Sequence, residues 1–263
     1  MLFNLKTVRI MALLVLCHTG HCRSNYTDNY IHTSRFKIFT SAKIKDNLPL
    51  YVYIEGDGNA WDSKYKLSSD PTPRRDTVLD LAELDSHPNV LYIARPCQFL
   101  SAKDLKGCES KYWSKSRYSK EVIESISMVI DHYKKLHSTE TIHLIGYSGG
   151  GTIASLLPIF RNDVLSVRTI AANLDHKTLS TTTKTSPLTN SLNPSDFINI
   201  YPKIPQHHIV GAKDELIDSD TILNFATLQQ HNNCVMVSIF KNKHHNGWRK
   251  IWKNLHSEPV PKC

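Results

Sequence analysis

The 263-residue sequence contains no C-x-x-C pair, and its one long apolar run is the eight residues from Ile10 to Cys17. The first absence excludes the paired-cysteine spacing of common zinc sites. The lack of any further long apolar run excludes a protein that crosses a membrane several times. Basic residues outnumber acidic ones by 32 to 24, but they are scattered and not interleaved with aromatic side chains, so no nucleic-acid partner is expected. With 40% hydrophobic and 21% charged residues, the chain also differs from disordered proteins.

The N-terminal segment differs from the rest of the chain. Lys6 and Arg9 precede the apolar run, which is too short to span a bilayer. Residues 1–24 are therefore predicted to be a signal peptide, with cleavage after Ser24 and a secreted or periplasmic mature protein. A buried N-terminal strand is the alternative interpretation. Lipid anchoring at a leader cysteine is a weaker one, because large residues precede both of these cysteines.

Four cysteines remain after the predicted leader. An even number in an exported chain is consistent with two disulfides, for which three pairings exist. We favour Cys97–Cys108, which closes a short polar loop, and Cys234–Cys263, which ties the C-terminal tail to a predicted strand. In a cytosolic protein the same residues would be reduced thiols.

Apolar β-rich runs alternate with helical patterns along residues 25–263. This alternation predicts one α/β domain, with a mostly parallel central sheet and helices on both faces. Residues 177–184 form a polar Ser/Thr patch, which we interpret as a surface loop or a short lid within 175–200. The strands are predicted at 35–41 (an edge strand), 50–54, 90–94, 141–145, 167–172, 207–211 and 234–240, and the helices at 119–136, 150–160, 221–229 and 249–255.

The sharpest motif is Gly146-Tyr-Ser148-Gly-Gly150, which lies between a predicted strand and a predicted helix. A serine on such a tight turn is exposed, and glycines two residues before and after it remove Cβ clashes. The following helix directs its unpaired N–H groups at a developing oxyanion. The motif therefore predicts that Ser148 is a nucleophile, although a plain glycine-rich turn would have the same letters.

A nucleophilic serine needs an imidazole to take its proton and a carboxylate to orient that imidazole. Asp214 follows the strand at 207–211, and His245 follows the strand at 234–240. We favour these two as acid and base. Asp175, after the strand at 167–172, remains an alternative acid, and His244 an alternative base, since adjacent residues on an extended loop point in opposite directions.

Together these features resemble an α/β-hydrolase of the serine-esterase type over residues 35–256. Within that superfamily, the chain resembles secreted or lipoprotein-like bacterial hydrolases of poorly defined substrate. The superfamily resemblance is carried by Gly146-x-Ser-x-Gly150, Gly211-x-x-Asp214 and His245-x-Gly247-Trp248, and the narrower one by the stretches 53–58, 94–98, 173–176 and 191–194.

The resemblance implies an oxyanion hole of two backbone N–H groups. Gly149, after the nucleophile, supplies one. Related hydrolases often carry His-Gly in the loop after the 50–54 strand, where this chain has Glu55-Gly56, so the matching donor is the N–H of Asp57. The Asp57 carboxylate would repel an oxyanion unless it is paired, with Arg95 and Lys213 as candidate partners.

Glycine is scarce, at ten residues, and eight of them lie in the loops that this fold brings together: Gly56, Gly58, Gly146, Gly149, Gly150, Gly151, Gly211 and Gly247. Such clustering is typical of a site built from closely approaching backbone. Trp61, Trp113 and Tyr147 are candidates to line the substrate pocket, although each is also a plausible packing residue.

The expected function is a serine hydrolase that cleaves a small-molecule or lipid-like ester or thioester. No metal or organic cofactor is expected, because this mechanism needs none. The adjacent His207 and His208 are not expected to bind zinc, since neighbouring side chains on a strand diverge. The basic surface suggests peripheral membrane association, and the oligomeric state is left open. The alternatives are a catalytically silent binding protein with the same fold and a peptidase with the same triad.

Overall fold

The computed structural model describes residues 25–263 except 46, 64, 76, 77, 106 and 107. The predicted signal peptide, its cleavage site after Ser24 and its two cysteines lie outside the described residues. Within the described part of the chain, no helix is both long and apolar enough to cross a membrane.

Strands and helices alternate through most of the described chain. The strands are β1 (Thr27–His32), β2 (Lys37–Lys43), β3 (Leu50–Ile54), β4 (Trp61–Ser63), β5 (Lys66–Leu67), β6 (Val90–Ile93), β7 (Ile142–Tyr147), β8 (Val164–Ile170), β9 (Gln206–Gly211) and β10 (Val235–Phe240). The α-helices are α1 (Val78–Glu83), α2 (Ala102–Leu105), α3 (Lys120–Leu136), α4 (Gly149–Phe160), α5 (His176–Thr182), α6 (Ser219–Thr227) and α7 (Arg249–Leu255). Short 3-10 helices cover Ser110–Trp113, Pro194–Ile200 and Asn232–Cys234.

Eight strands form one sheet in the order β1-β2-β6-β3-β7-β8-β9-β10. The β1–β2 and β2–β6 pairs are antiparallel, and the pairs from β6 to β10 are parallel. One apolar core packs α3 and α4 against one face, and a second packs α1 and α7 against the other. The predicted α/β architecture is confirmed. The parallel strands direct their carboxyl ends, and the loops after them, to one edge of the sheet.

The predicted edge strand is wrong in its position. The segment predicted at 35–41 forms β2, which lies between β1 and β6 and is buried along its middle five residues. The edge strand is β1, which sequence reasoning missed. Five of its six residues are exposed, and only Ile31 is buried. The strand therefore has too few apolar residues to produce an alternating pattern.

The polar patch at 177–184 is largely helical. Asp175 caps the N-terminus of α5 by accepting hydrogen bonds from the N–H groups of Lys177 and Thr178. Hydroxyl groups along the helix donate to backbone carbonyls of the preceding turn, as Thr181 does to Lys177. The Asp175 cap satisfies two N–H groups of the first turn, which favours a helix in this run of residues with modest helix propensity.

Both predicted disulfides are confirmed. Cys97 pairs with Cys108 and Cys234 pairs with Cys263. The second bridge fastens the C-terminal residue to the turn immediately before β10. Both bridges therefore restrain segments that lie outside the central strands.

Candidate active site

Ser148 lies on a sharp turn between β7 and α4. Its backbone has φ 51° and ψ −124°, which is strained for a residue with a side chain. The turn is held by a hydrogen bond from the Ser148 N–H to the carbonyl of Ile170, at 2.8 Å. A Cβ on Gly146 would lie 2.3 Å from the Gly150 carbonyl oxygen, and one on Gly150 would lie 2.1 Å from that of Ile54. The turn can therefore form only with glycine at both positions.

His245 reaches this turn from the loop after β10. Its Nε2 lies 3.0 Å from the Oγ of Ser148, and its Nδ1 lies 3.0 Å from one carboxylate oxygen of Asp214. The backbone carbonyl of His245 accepts hydrogen bonds from the indole N–H of Trp248, at 2.7 Å, and from the hydroxyl of Tyr147, at 3.2 Å. Both ring nitrogens of His245 therefore have a partner, and two further hydrogen bonds fix the backbone of this residue.

Asp214 lies three residues beyond the end of β9, and its side chain is fully buried. One carboxylate oxygen accepts hydrogen bonds from the backbone N–H groups of Leu216 and Ile217, both at 2.9 Å. Burial alone would raise the pKa of Asp214, but the hydrogen bond to His245 and these N–H groups outweigh burial and lower it. The carboxyl group is therefore ionised at neutral pH beside the imidazole.

The two alternative residues lie elsewhere. His244 is exposed, whereas its neighbour His245 makes the contacts described above. Asp175 serves as the cap of α5, and its carboxylate also accepts hydrogen bonds from Thr178 and Asn193. The structure thus brings Ser148, His245 and Asp214 together and places Asp175 in another environment.

The carboxylate of Asp57 is paired, which answers the electrostatic objection to its position. Arg95 donates to one of its oxygens at 2.9 Å, and Arg117 donates to the other at 2.7 Å. The hydroxyl of Tyr118 adds a hydrogen bond at 3.2 Å. Burial would raise the pKa of Asp57, but the two guanidinium groups outweigh it and lower the pKa. Arg95 was a candidate partner from the sequence; Arg117 and Tyr118 were not foreseen.

Glu55 fixes the loop after β3 through hydrogen bonds to its carboxyl group. Its buried carboxyl group accepts hydrogen bonds from the N–H groups of Gly56 and Val78 and from the hydroxyl of Tyr92. Burial raises the pKa of Glu55 to about 7. The sequence offered no sign of this role, because the three donors come from three separate segments of the chain.

Ser148 and His245 open into a cleft of about 440 Å³. Trp61 and Tyr147 line it, as two of the three predicted aromatic residues. Trp113 does not line the cleft: it is buried with Ala60 and Cys97, and its indole N–H donates to the carbonyl of Ser68. The prediction that Trp113 lines the substrate pocket is therefore wrong: its side chain packs in a small apolar cluster instead. Residues 175–200 contribute no lining residue to the cleft.

The rim of the cleft is basic. Arg74 and Arg75 are exposed and line the cleft together with Arg117. Arg74 lies 3.9 Å from Asp62, a long and exposed ion pair. The sequence alone does not mark Arg74 and Arg75 as site residues, because nothing local shows that the loop after β3 and the segment before α1 border the same cleft.

The sequence matches no model of a known protein family and no curated protein. Solved structures match the fold. Est1E from Butyrivibrio proteoclasticus has a TM-score of 0.59 at 12% identity and covers 87% of this chain and 95% of its own. The Pyrococcus furiosus esterase Pf2001 has a TM-score of 0.61 at 15% identity and covers 88% of this chain and 90% of its own. The Pyrococcus horikoshii acylaminoacyl peptidase has a TM-score of 0.66 at 13% identity, over 91% of this chain and 42% of its own.

These similarities, with the mostly parallel eight-stranded sheet, show that the chain has the α/β-hydrolase fold. The elements that follow β3, β7, β9 and β10 carry Asp57, Ser148, Asp214 and His245 to the carboxyl edge of that sheet. At identities of 12–15%, the comparisons do not extend from fold to chemistry.

Proposed function

We propose that this protein is a serine hydrolase that cleaves carboxylic ester or thioester bonds through an acyl-enzyme. The observation that carries the proposal is the 3.0 Å separation between the Oγ of Ser148 and the Nε2 of His245. This distance lies within the range for proton transfer from a nucleophile to its base. The buried, ionised Asp214 on the other side of the ring fixes the tautomer in which Nε2 can accept that proton.

In the proposed reaction, Ser148 Oγ attacks the substrate carbonyl carbon while His245 takes the hydroxyl proton. The C–O or C–S bond to the leaving group then breaks, and His245 returns the proton to the departing alcohol or thiol. Water, deprotonated by His245, attacks the acyl carbon; the bond between that carbon and Ser148 Oγ then breaks, and His245 returns the proton to Oγ as the acid leaves. Asp214 keeps its charge throughout and stabilises the imidazolium.

The developing oxyanion is proposed to bind the backbone N–H groups of Gly149 and Asp57. Gly149 is the first residue of α4, and the first N–H groups of a helix have no partner within the helix. The loop of Asp57 approaches the same point, since a Cβ on Gly56 would lie 3.5 Å from the Cβ of Ser148. Pairing of the Asp57 carboxylate with arginines removes the repulsion that its charge would otherwise exert.

The substrate is proposed to be a small-molecule or lipid-like ester, in keeping with a cleft of about 440 Å³. Export is proposed as well, since two disulfides are typical of proteins from oxidising compartments. Expression of the full sequence in a secreting host, with N-terminal sequencing of the exported product, tests this. Recovery of product that retains residues 1–24 in the cytosol would contradict it.

The central test uses a series of p-nitrophenyl esters of increasing acyl length and a serine-directed fluorophosphonate. Wild type is compared with Ser148→Ala and with Ser34→Ala, an exposed serine in the turn between β1 and β2. We expect labelling and turnover in wild type and Ser34→Ala, and a loss of kcat on the order of 10⁶ in Ser148→Ala. Absence of labelling in folded wild type would favour a silent binding protein. Faster cleavage of an amide than of the ester with the same acyl group would favour a peptidase.

A further inference from the structure

A second cavity lies at the opposite edge of the sheet. Its volume is about 330 Å³, and it is lined by Tyr51 near the start of β3, His143 near the start of β7 and Arg168 on β8. Ser148 lies five positions after His143, just beyond the end of β7, which corresponds to about 16 Å along an extended strand. The cavity is therefore independent of the proposed active site.

Three side chains with metal-binding atoms converge in this cavity. Asp85 and His87 lie in the turn after α1, and His256 immediately follows α7. One ligand atom from each lies within 4.8 Å of the others. The side chains of Asp85 and His256 are 1% and 5% exposed, whereas that of His87 is 31% exposed.

The Asp85 carboxylate is held in place by the surrounding protein. One oxygen accepts a hydrogen bond from the Tyr53 hydroxyl at 2.6 Å. The other accepts one from the backbone N–H of His87 at 2.8 Å and contacts its Nδ1 at 2.5 Å. The same oxygen lies 3.8 Å from the Nδ1 of His256, beyond hydrogen-bonding distance.

The Nδ1 of His256 is a polar atom of the cavity whose partner is missing. It is buried and has no hydrogen-bonding partner among the described residues. A buried polar atom without a partner is costly to the fold and calls for a ligand.

We propose that Asp85, His87 and His256 bind a divalent transition-metal ion of the zinc type. Two imidazoles and one carboxylate form an established ligand set for Zn²⁺, and the open side of the cavity leaves room for a fourth ligand. Tetrahedral ligand atoms at Zn–N and Zn–O distances lie about 3.3 Å apart, so the observed spacing of up to 4.8 Å must contract by about 1.5 Å. Rotation of the partly exposed His87 and a small shift of His256 supply this.

The charge of the cavity selects among metal ions. The guanidinium of Arg168 is held by the backbone carbonyls of His256 and Glu258, and its positive charge opposes a second cation. The carboxylate of Asp85 offsets one positive charge. Ions that bind through oxygen and charge alone, such as Mg²⁺ and Ca²⁺, are therefore disfavoured, whereas ions with a preference for imidazole are retained. The bound ion would fasten the segment after α7 to the turn after α1.

The test uses the untagged full chain, stripped with a chelator and dialysed. Titration with ZnCl₂ is followed by calorimetry, and CoCl₂ is added separately for its visible absorption. We expect one Zn²⁺ per chain, Co²⁺ bands of tetrahedral strength, and a rise in Tm on addition of Zn²⁺. His87→Ala and His256→Gln should each weaken Zn²⁺ binding at least tenfold and abolish the Tm shift. Mg²⁺ should give no shift.

Two control variants locate the binding. His245→Ala, in the proposed triad, and His132→Ala, exposed on α3, should bind Zn²⁺ as wild type does. His87→Ala keeps the proposal testable if His256→Gln does not fold, because His87 is partly exposed. The proposal is overturned if folded wild type takes up no Zn²⁺, or if folded His87→Ala binds it within tenfold of the wild-type affinity.

Discussion

A side chain at position 149 would begin 2.0 Å from the Oδ1 atom of Asp57. Asp57 cannot withdraw, because Arg95 and Arg117 hold its two carboxylate oxygens. The glycine after Ser148 is thus required by the ion pairs of a loop that lies about 90 residues earlier in the chain. This contact joins the two segments that are proposed to bind the oxyanion.

The first prediction concerns Gly149→Ala. Its Cβ would displace Asp57 or α4, and the proposed oxyanion donors would separate. We expect kcat for a p-nitrophenyl ester to fall on the order of 10²-fold or more. Gly56→Ala is the comparison, because its nearest neighbours would lie 3.3 Å away and need shift by only a few tenths of an ångström. Equal kcat for Gly149→Ala and wild type would contradict the proposed oxyanion hole.

The second prediction concerns the stability that Asp57 supplies. Asp57→Asn leaves Arg95 and Arg117 without their counter-charge, and should lower the free energy of unfolding by about 3 kcal/mol. Urea denaturation at pH 7 measures this. Glu124→Gln, which removes an exposed ion pair with Lys120 on α3, is the control and should change stability little. Similar losses of unfolding free energy in both variants would show that the ion pairs of Asp57 stabilise the fold no more than an exposed pair does.

The same carboxyl group predicts a pH dependence. The pKa of Asp57 in the folded protein lies below its usual value of 3.8, so the unfolded chain takes up a proton first as the pH falls. The stabilisation is complete well above pH 3.8 and is lost as the pH drops through the lower, folded pKa. Asp57→Asn should therefore flatten the acid side of the stability profile. An unchanged slope in the variant would assign acid unfolding to other groups.

A third prediction separates the two candidate acids. Asp214→Asn should lower kcat on the order of 10³- to 10⁴-fold, because an amide favours the wrong tautomer of His245. Asp175→Asn should leave kcat near that of wild type and cost at most about 1 kcal/mol of stability, through the weakened cap of α5. Steady-state kinetics and thermal unfolding of both variants measure these effects. The reverse pattern of kcat losses would identify Asp175 as the acid.

Local pattern was sufficient for the strand–turn–helix around Ser148 and for the order of Asp214 and His245 along the chain. Gly146 and Gly150 are constrained by contacts within a few residues or with the neighbouring strand, so their spacing is visible as a motif. Buried parallel strands such as β6 also have a continuous apolar signature. These features could be predicted from the sequence because the strand, the turn and the glycine spacing all lie within one short segment of the chain.

The partners of Asp57 and Glu55 could not be predicted in the same way. Arg117 is 60 residues from Asp57, and Tyr92 is 37 residues from Glu55. The sequence around each residue carries no mark of such pairing, which depends on the packing of loops against one another. The exposed edge strand β1 was missed for a related reason, since its pairing with β2 rests on backbone hydrogen bonds rather than on apolar side chains.

The fourth prediction concerns the basic rim of the cleft. Asp57 is already paired with Arg95 and Arg117, so Arg74 and Arg75 determine the charge that an arriving substrate meets. A p-nitrophenyl ester with a terminal carboxylate on its acyl chain should therefore be preferred over a neutral ester of equal length at low salt. The joint variant Arg74→Ser and Arg75→Ser should lower kcat/KM for the anionic ester about 5- to 10-fold and leave the neutral ester little changed.

The salt dependence of kcat/KM gives an independent check of this electrostatic preference. Added salt screens exposed charges, so the advantage of the anionic ester in wild type should shrink as ionic strength rises from about 0.01 M to 1 M. Joint replacement of Lys203 and Lys253 by serine removes the same charge from exposed positions outside the cleft and should preserve the preference. If this control loses the preference to the same extent as the arginine variant, the net charge of the chain, and not the rim of the cleft, selects the substrate.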